Sequence, residues 1–246
     1  MLRLYRSIIV PSRNLYMLST RKCANFGANS DSDEGDDNTE PDMNFIKLIG
    51  TTRNDSRLQP NGNMNCLVHQ KSENEKSFFH FISMPKHIQE KTGINHIASG
   101  QRININGYVL SHPFKSIDDK NKYKVVIMPT EIRLYKNGEE PLPDICIVML
   151  TGVVRSPIWF KNDFASFYSE EISDVRNVKG ELTGEKMKFS YSNFVYDVNL
   201  RNYIRENINL YDRVFVQGHL GYKSCETNDG KSRSCGSIIV TKIEKI

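Results

Sequence analysis

The sequence predicts an all-β chain, β-rich with short helices, built as two tandem five-stranded Greek-key barrels. Three observations carry this. From residue 43 onward, Val, Ile, Phe and Tyr cluster in runs of five to ten residues broken by Asn, Gly, Asp and Pro, the pattern of short strands. The same blocks occur twice. Each copy also places one short helical segment at the same point in its order of strands.

The first half opens with NFIKLIGTTRND (44–55) and the second with ICIVMLTGVVRSP (145–157). Each is an apolar strand, then Gly50 or Gly152, then Arg53 or Arg155 three positions on. A second block follows in each, INHIASGQRININGYVLSHPF (94–114) and IRENINLYDRVFVQGHLGYKS (204–224). Both run from a polar turn through Arg102 or Arg213 into an alternating strand that reaches Gly107 or Gly218. Blocks separated by about a hundred residues mark two copies of one unit. The copies are expected over 43–135 and 144–246, joined by a turn-rich, charged linker at 136–143.

In the first copy, strands are expected near 44–53, 64–70, 77–84, 101–111 and 123–134, with a short helix within 85–100. In the second they fall near 145–155, 164–170, 187–196, 211–222 and 234–243. The second helix is expected over 198–208, where Leu200, Tyr203, Ile204 and Ile208 share one face. Five strands with one helix between the third and fourth is the order of the OB fold.

The chain has 246 residues and net charge +4, but the charge is uneven. Residues 1–29 hold five basic residues and no acid, and residues 30–42 hold seven acids and no base. The first stretch has the composition of a mitochondrial transit peptide. A basic tail without a targeting role is the other reading. The second is too polar and too like-charged to fold, and reads as an acidic disordered linker. No apolar run approaches the roughly 18 residues that span a bilayer, so no membrane partner is expected. Five cysteines are too few for a disulfide framework, and free thiols are expected. Cys225 and Cys235 flank an Asn-Asp-Gly turn near His219. Two cysteines without a second pair are a weak zinc signal, so no metal and no cofactor are expected. There is no Walker loop, GxSxG or HExxH, and no catalytic constellation.

Three stretches resemble the bacterial and mitochondrial single-stranded DNA-binding protein family. LIGTTRND (48–55) followed by LQPNGNMNCLV (58–68) resembles its first hairpin. YDRVFVQGHLGYKSCETNDGKSRS (211–234) resembles its fourth strand and the long hairpin beyond, and SGQRININGYVLSHPF (99–114) is similar to the same block. The resemblance covers nearly all of 44–246 as two divergent copies. It implies strand binding without enzymatic activity, and an assembly of four OB domains. With two copies per chain, that assembly becomes a homodimer. The family's third strand usually holds a Trp-His pair that stacks a base. Phe79 and His80 stand there in the first copy, and Tyr191 and Ser192 are expected there in the second. The family's acidic, glycine-rich tail has no counterpart after the last strand, as is common among mitochondrial members.

A single strand is held by Lys and Arg along its phosphates and by aromatic faces under its bases. In the first copy the candidates are Arg53, Arg57, Phe79, Phe81, Arg102, Tyr108, Phe114 and Lys115. In the second they are Arg155, Trp159, Tyr191, Arg213, Tyr222 and Lys223. Phe79 and Phe81 lie two apart and so share a face, which is either the binding face or the core. Residues 43–142 carry net +5 and residues 143–246 net +1, so the first copy is the stronger electrostatic partner.

The leading reading is non-enzymatic binding of single-stranded DNA in the mitochondrial matrix and its nucleoid, protecting displaced strands during replication beside the replication machinery. RNA is the alternative ligand, because stacking does not distinguish the sugars. A structural or interaction subunit that has lost strand binding is the third reading. A fluorescent reporter carrying residues 1–35 is expected to enter mitochondria, and a cytosolic reporter would overturn the targeting reading.

Overall fold

The computed structural model describes residues 42–72, 75–115, 121–136, 138–140, 142–176, 182–227 and 230–246. The transit peptide expected over 1–29, and all of the 30–42 linker except Asp42, lie outside the described residues. The first run of elements is β1 (Asn44–Thr52), β2 (Arg57–Leu58), β3 (Met64–Lys71), β4 (Ser77–Met84), α1 (Lys86–Thr92), β5 (Arg102–Lys115) and β6 (Asn121–Leu134). The second is β7 (Ile145–Val154), β8 (Trp159–Phe160), β9 (Ala165–Arg176), β10 (Leu182–Val195), α2 (Val198–Asn207), β11 (Arg213–Glu226) and β12 (Ser232–Lys245). Both runs follow the OB order, with the helix between the third and fourth long strands.

Hydrogen bonding links the strands in the order β2-β3-β4-β6-β5-β1-β7-β11-β12-β10-β9-β8. Additional β3–β1 and β7–β9 pairings close each half into a barrel. Closure needs β1 to cross close over β3, and β7 over β9. At those crossings a Cβ on Gly50 would meet the His69 carbonyl oxygen at 2.5 Å, and one on Gly152 the Glu170 oxygen at 2.6 Å. Only glycine fits there, which explains the repeated strand-Gly block. The second repeated glycine has a different cause. Gly107 and Gly218 sit at register shifts in the β5–β6 and β11–β12 pairs, where a Cβ would strike the carbonyls of Met128 and Ile239. These bulges bend the long hairpins around the barrels.

The interiors are filled by alternation. In β3 the burial runs strictly in and out from Met64 to Gln70, and β11 alternates likewise over Val214–Leu220. Ile46, Leu48, Ile103, Val148, Leu150 and Val214 are among the most buried side chains. Helix α2 starts at Asp197, whose carboxylate accepts from the Leu200 N–H at 2.9 Å, an N-cap worth about 1 kcal/mol. Its expected stripe packs inward, with Ile204 and Ile208 buried and Leu200 and Tyr203 against the core. Helix α1 is shorter than the expected segment because Gly93 takes a left-handed conformation (φ 70°) and ends it.

The two barrels meet edge to edge. β1 pairs antiparallel with β7 through six residue pairs from Asn44↔Leu150 to Ile49↔Ile145. Each half thereby covers the other's apolar first strand, which would otherwise be an exposed edge. A local two-fold relates the flanking contacts. Arg102 pairs with Asp144, the residue just before β7, and Arg213 pairs with Asp42, two residues before β1, at 2.7 Å. Asp144 also accepts the Lys71 N–H at 2.5 Å, and Asp42 accepts the Ile172 N–H at 2.9 Å. Both arginines therefore tie one barrel to the other.

Two buried polar knots complete the junction. In one, Asn44 of β1 donates to the Val109 carbonyl at 2.8 Å and to Glu171 Oε2 at 2.7 Å, and Tyr191 Oη lies 2.9 Å from the same carboxyl oxygen. In the other, His80 contacts Tyr222 Oη at 3.1 Å and Gln70 Oε1 at 3.4 Å. Burial pushes His80 down to about 3, helped by the charges of His219 and His69, so it is neutral. Glu171 is 1% exposed. Burial pushes its carboxyl up to about 8, with the Asp42 charge adding to the rise and hydrogen bonds from Ser173, Tyr191 and Asn44 opposing it. Tyr191 Oη faces both the Val109 carbonyl at 2.8 Å and Glu171 Oε2 at 2.9 Å.

A carboxyl whose folded pKa of about 8 exceeds its ordinary 4.5 holds its proton more tightly in the native state. Stability therefore falls as pH rises through that window and levels off above it. Chemical denaturation between pH 5 and 9 is expected to show this loss in the wild type. In Glu171→Gln, which keeps the hydrogen bonds and cannot ionise, the decline is expected to flatten. An unchanged pH slope would place the buried carboxyl's titration elsewhere.

Candidate nucleic-acid interface

On β3 and β4 the outward rows are set by the pleat, since His80, Ile82 and Met84 point inward. Phe79 therefore points out, 46% exposed, and Phe81, in the same row, is half-buried and packs against the core. His69 stands directly across from Phe79, with ring centroids 5.2 Å apart. Lys124 Nζ lies 4.4 Å from the centre of the Phe81 ring. Arg53 and Arg57 are exposed on the loop and short strand that follow β1. This row combines stackable rings with cations, as single-strand binding requires.

The second barrel carries a larger aromatic surface. Phe164, Phe194 and Tyr196 form one cluster, with centroid separations of 5.5, 6.1 and 6.5 Å. Lys161 lies 5.4 Å from the Phe164 ring and Lys223 5.8 Å from the Phe194 ring. Trp159, 67% exposed, stands on β8 beside Phe160, which is covered by the Arg205 guanidinium at 4.7 Å. A shallow recess lies between Trp159, Tyr168, Ser192 and Phe194. Tyr123 of the first barrel reaches across to Tyr168 at 5.7 Å, so both halves line this surface. Arg201 on α2 donates to the Asn162 carbonyl at 2.7 Å, holding the loop that presents Lys161.

The expected site residues separate into two groups. Phe79, Phe81, Arg53, Arg57, Arg155, Trp159 and Lys223 lie at these outward surfaces or their margins. Phe114 is half-buried under the Arg233 guanidinium at 5.6 Å, where the two long hairpins meet. The side chain of Lys115 lies outside the described residues. Five expectations need correction. Tyr108 and Tyr191 are 4% and 2% exposed, inside the structure. Tyr222 is turned to His80. Arg102 and Arg213 are spent on the junction ion pairs.

The register shows why Tyr191 misleads. Val68 and Ser169 hold equivalent places, pairing with Thr52 and Val154 where each barrel closes. Val68 faces His80 and Ser169 faces Tyr191. Tyr191 is thus the counterpart of buried His80, and Ser190 that of Phe79. The outward row of β10 is Ser190, Ser192 and Phe194, continued by Tyr196 just beyond the strand, while Tyr191, Asn193 and Val195 point in. The period-two spacing of Phe194 and Tyr196 was the available signal for the residues missed.

The expectation of free thiols is also corrected at one place. Cys225 and Cys235 form a disulfide across the β11–β12 hairpin, with Cα atoms 6.3 Å apart, so their sulfurs face each other and not a zinc ion. Cys66 and Cys146 are free.

No protein-family model and no curated protein matches the chain. Among solved structures, the wild-type single-stranded DNA binding protein of Thermus aquaticus aligns at 15% identity and a TM-score of 0.57, covering 84% of this chain and 94% of that one. A deletion mutant of the same protein aligns at 16% identity and a TM-score of 0.56, over 84% and 95%. A Plasmodium falciparum SSB solved with single-stranded DNA aligns at 28% identity over 44% of this chain and 96% of its own, with a TM-score of 0.34. The chain thus has the fold of the Thermus aquaticus single-stranded DNA binding protein over 84% of its length.

Proposed function

We propose that this chain binds single-stranded DNA in the mitochondrial matrix, without catalysis, and covers strands displaced during replication. The observation that carries the reading is the pair of outward aromatic rows flanked by lysines, Phe79 and Phe81 with Lys124, and Phe164 and Phe194 with Lys161 and Lys223. Rings on an open sheet stack bases of any sequence, and ammonium groups beside them meet the phosphates. The acid-free basic stretch over 1–29 supports the mitochondrial setting.

Titration of the protein with labelled single-stranded DNA, RNA and duplex at two salt concentrations tests the ligand class. Single-stranded DNA is expected to bind most tightly, with affinity falling as salt rises. Preference for RNA would replace the DNA reading, and equal affinity for duplex would overturn it.

Phe79→Ala and Trp159→Ala are each expected to weaken single-strand binding by about 1–3 kcal/mol while leaving the melting temperature in place. Tyr191→Ala should instead lower stability by about 3 kcal/mol or more, since it opens a cavity in the core and strands a buried carboxyl. Unchanged affinity in both surface variants would remove the stacking surface from the reading.

For assembly, we infer a homodimer that presents four OB folds. Light scattering is expected to give twice the chain mass, and a monomer at micromolar concentration would refute it.

A further inference from the structure

One backbone position breaks the equivalence of the two halves without a structural reason. The fourth long strand of each barrel is preceded by the same turn. In the first half the Gly100 N–H donates to the Thr52 carbonyl at 2.9 Å, and the Gln101 N–H to Ala98 at 3.3 Å. In the second the Tyr211 N–H donates to the Val154 carbonyl at 2.8 Å, and the Asp212 N–H to Asn209 at 3.2 Å. The third residue of this turn takes positive φ, 81° at Gly100 and 72° at Tyr211. Glycine adopts that conformation freely, whereas a tyrosine is strained there. The strain buries little of the ring, since Tyr211 is 66% exposed. A strained bulky residue held out into solvent points to a role outside folding.

Its neighbours say which role. The Arg155 guanidinium lies 5.9 Å from the Tyr211 ring. Arg155 Nε also donates to Glu170 Oε1 at 3.2 Å, and the Arg155 N–H to the Tyr168 carbonyl at 2.9 Å. Tyr168 and Glu170 are successive members of the outward row of β9, and Tyr168 lines the recess that holds Trp159 and Phe194. The outward row of β9 thus leads from Tyr168 in the recess to Glu170, which holds Arg155 beside Tyr211.

We propose that Tyr211 forms a terminal nucleotide subsite of the second barrel, its exposed ring stacking on a base, with Arg155, held by Glu170, flanking the ring. The subsite rests on the reading that the chain binds single strands. It takes one unpaired nucleotide beyond those held at Trp159, so its contribution appears only with ligands long enough to reach it.

The test compares wild type, Tyr211→Gly, Tyr211→Phe and Trp159→Ala for binding to labelled oligo(dT) of increasing length, up to about 30 nucleotides, beyond the site size of one OB fold. Each melting temperature is measured alongside. Tyr211→Gly is expected to bind the long oligonucleotide about 5-fold or more weakly, the range of one lost stacked base. The shortest oligonucleotide that Trp159 still holds should show no such loss. The melting temperature of Tyr211→Gly should stay level or rise by about 2–4 °C as strain is relieved. Tyr211→Phe, which keeps the ring, should bind like wild type. Wild-type affinity in Tyr211→Gly overturns the subsite, as does an affinity loss that accompanies a lower melting temperature. If Trp159→Ala still weakens binding in either case, the single-strand reading stands and only the subsite falls. If wild type binds none of the oligonucleotides, both fall together.

Discussion

The antiparallel pairing of β1 with β7 is the constraint on which the rest depends. Six residue pairs join the two barrels through their first strands, so the halves cannot hinge freely as beads on a linker would. Once the edges pair, Arg102 reaches Asp144 and Arg213 reaches Asp42. The same pairing closes the polar knots around Glu171 and His80. It also brings Tyr123 of one barrel against Tyr168 of the other, so the larger aromatic surface is assembled from both halves.

The approximate two-fold is kept in the scaffold and broken where side chains face water. Gly50 and Gly152, Gly107 and Gly218, and both junction arginines are preserved because backbone approach or ion pairing leaves no substitute. The inward knots tolerate exchange, with Gln70 and His80 on one side matching Glu171 and Tyr191 on the other. The exchanged groups remain hydrogen-bonded, as buried polar atoms must. On the outside, Phe79 faces solvent in the first barrel where Ser190 stands in the second, and the second regains its rings at Phe194, Tyr196 and Trp159. One half is richer in net charge and the other in exposed aromatic rings.

The sequence by itself determined the elements. The apolar runs, the breaks between them, the two glycine-bearing blocks and the stripe Leu200-Tyr203-Ile204-Ile208 place the long strands and both helices, though β9 and β10 run five or six residues beyond their expected ends and the short β2 and β8 were not expected. These signals are local: side-chain period, turn chemistry and the steric demand for glycine all act within one strand or between neighbours. For the same reason Phe79 and Phe81 were legible as sharing one face, although their spacing left open whether that face is surface or core. The tertiary structure alone decided which side of β10 faces inward. Alternation assigns Tyr191 and Phe194 to opposite faces but carries no sign, and the sign came from Asn44 and Val109 of the other barrel closing over Tyr191. It likewise decided the fate of Arg102 and Arg213. An exposed arginine and a junction arginine read alike in a strand, and only the approach of Asp144 and Asp42 from the other barrel distinguishes them.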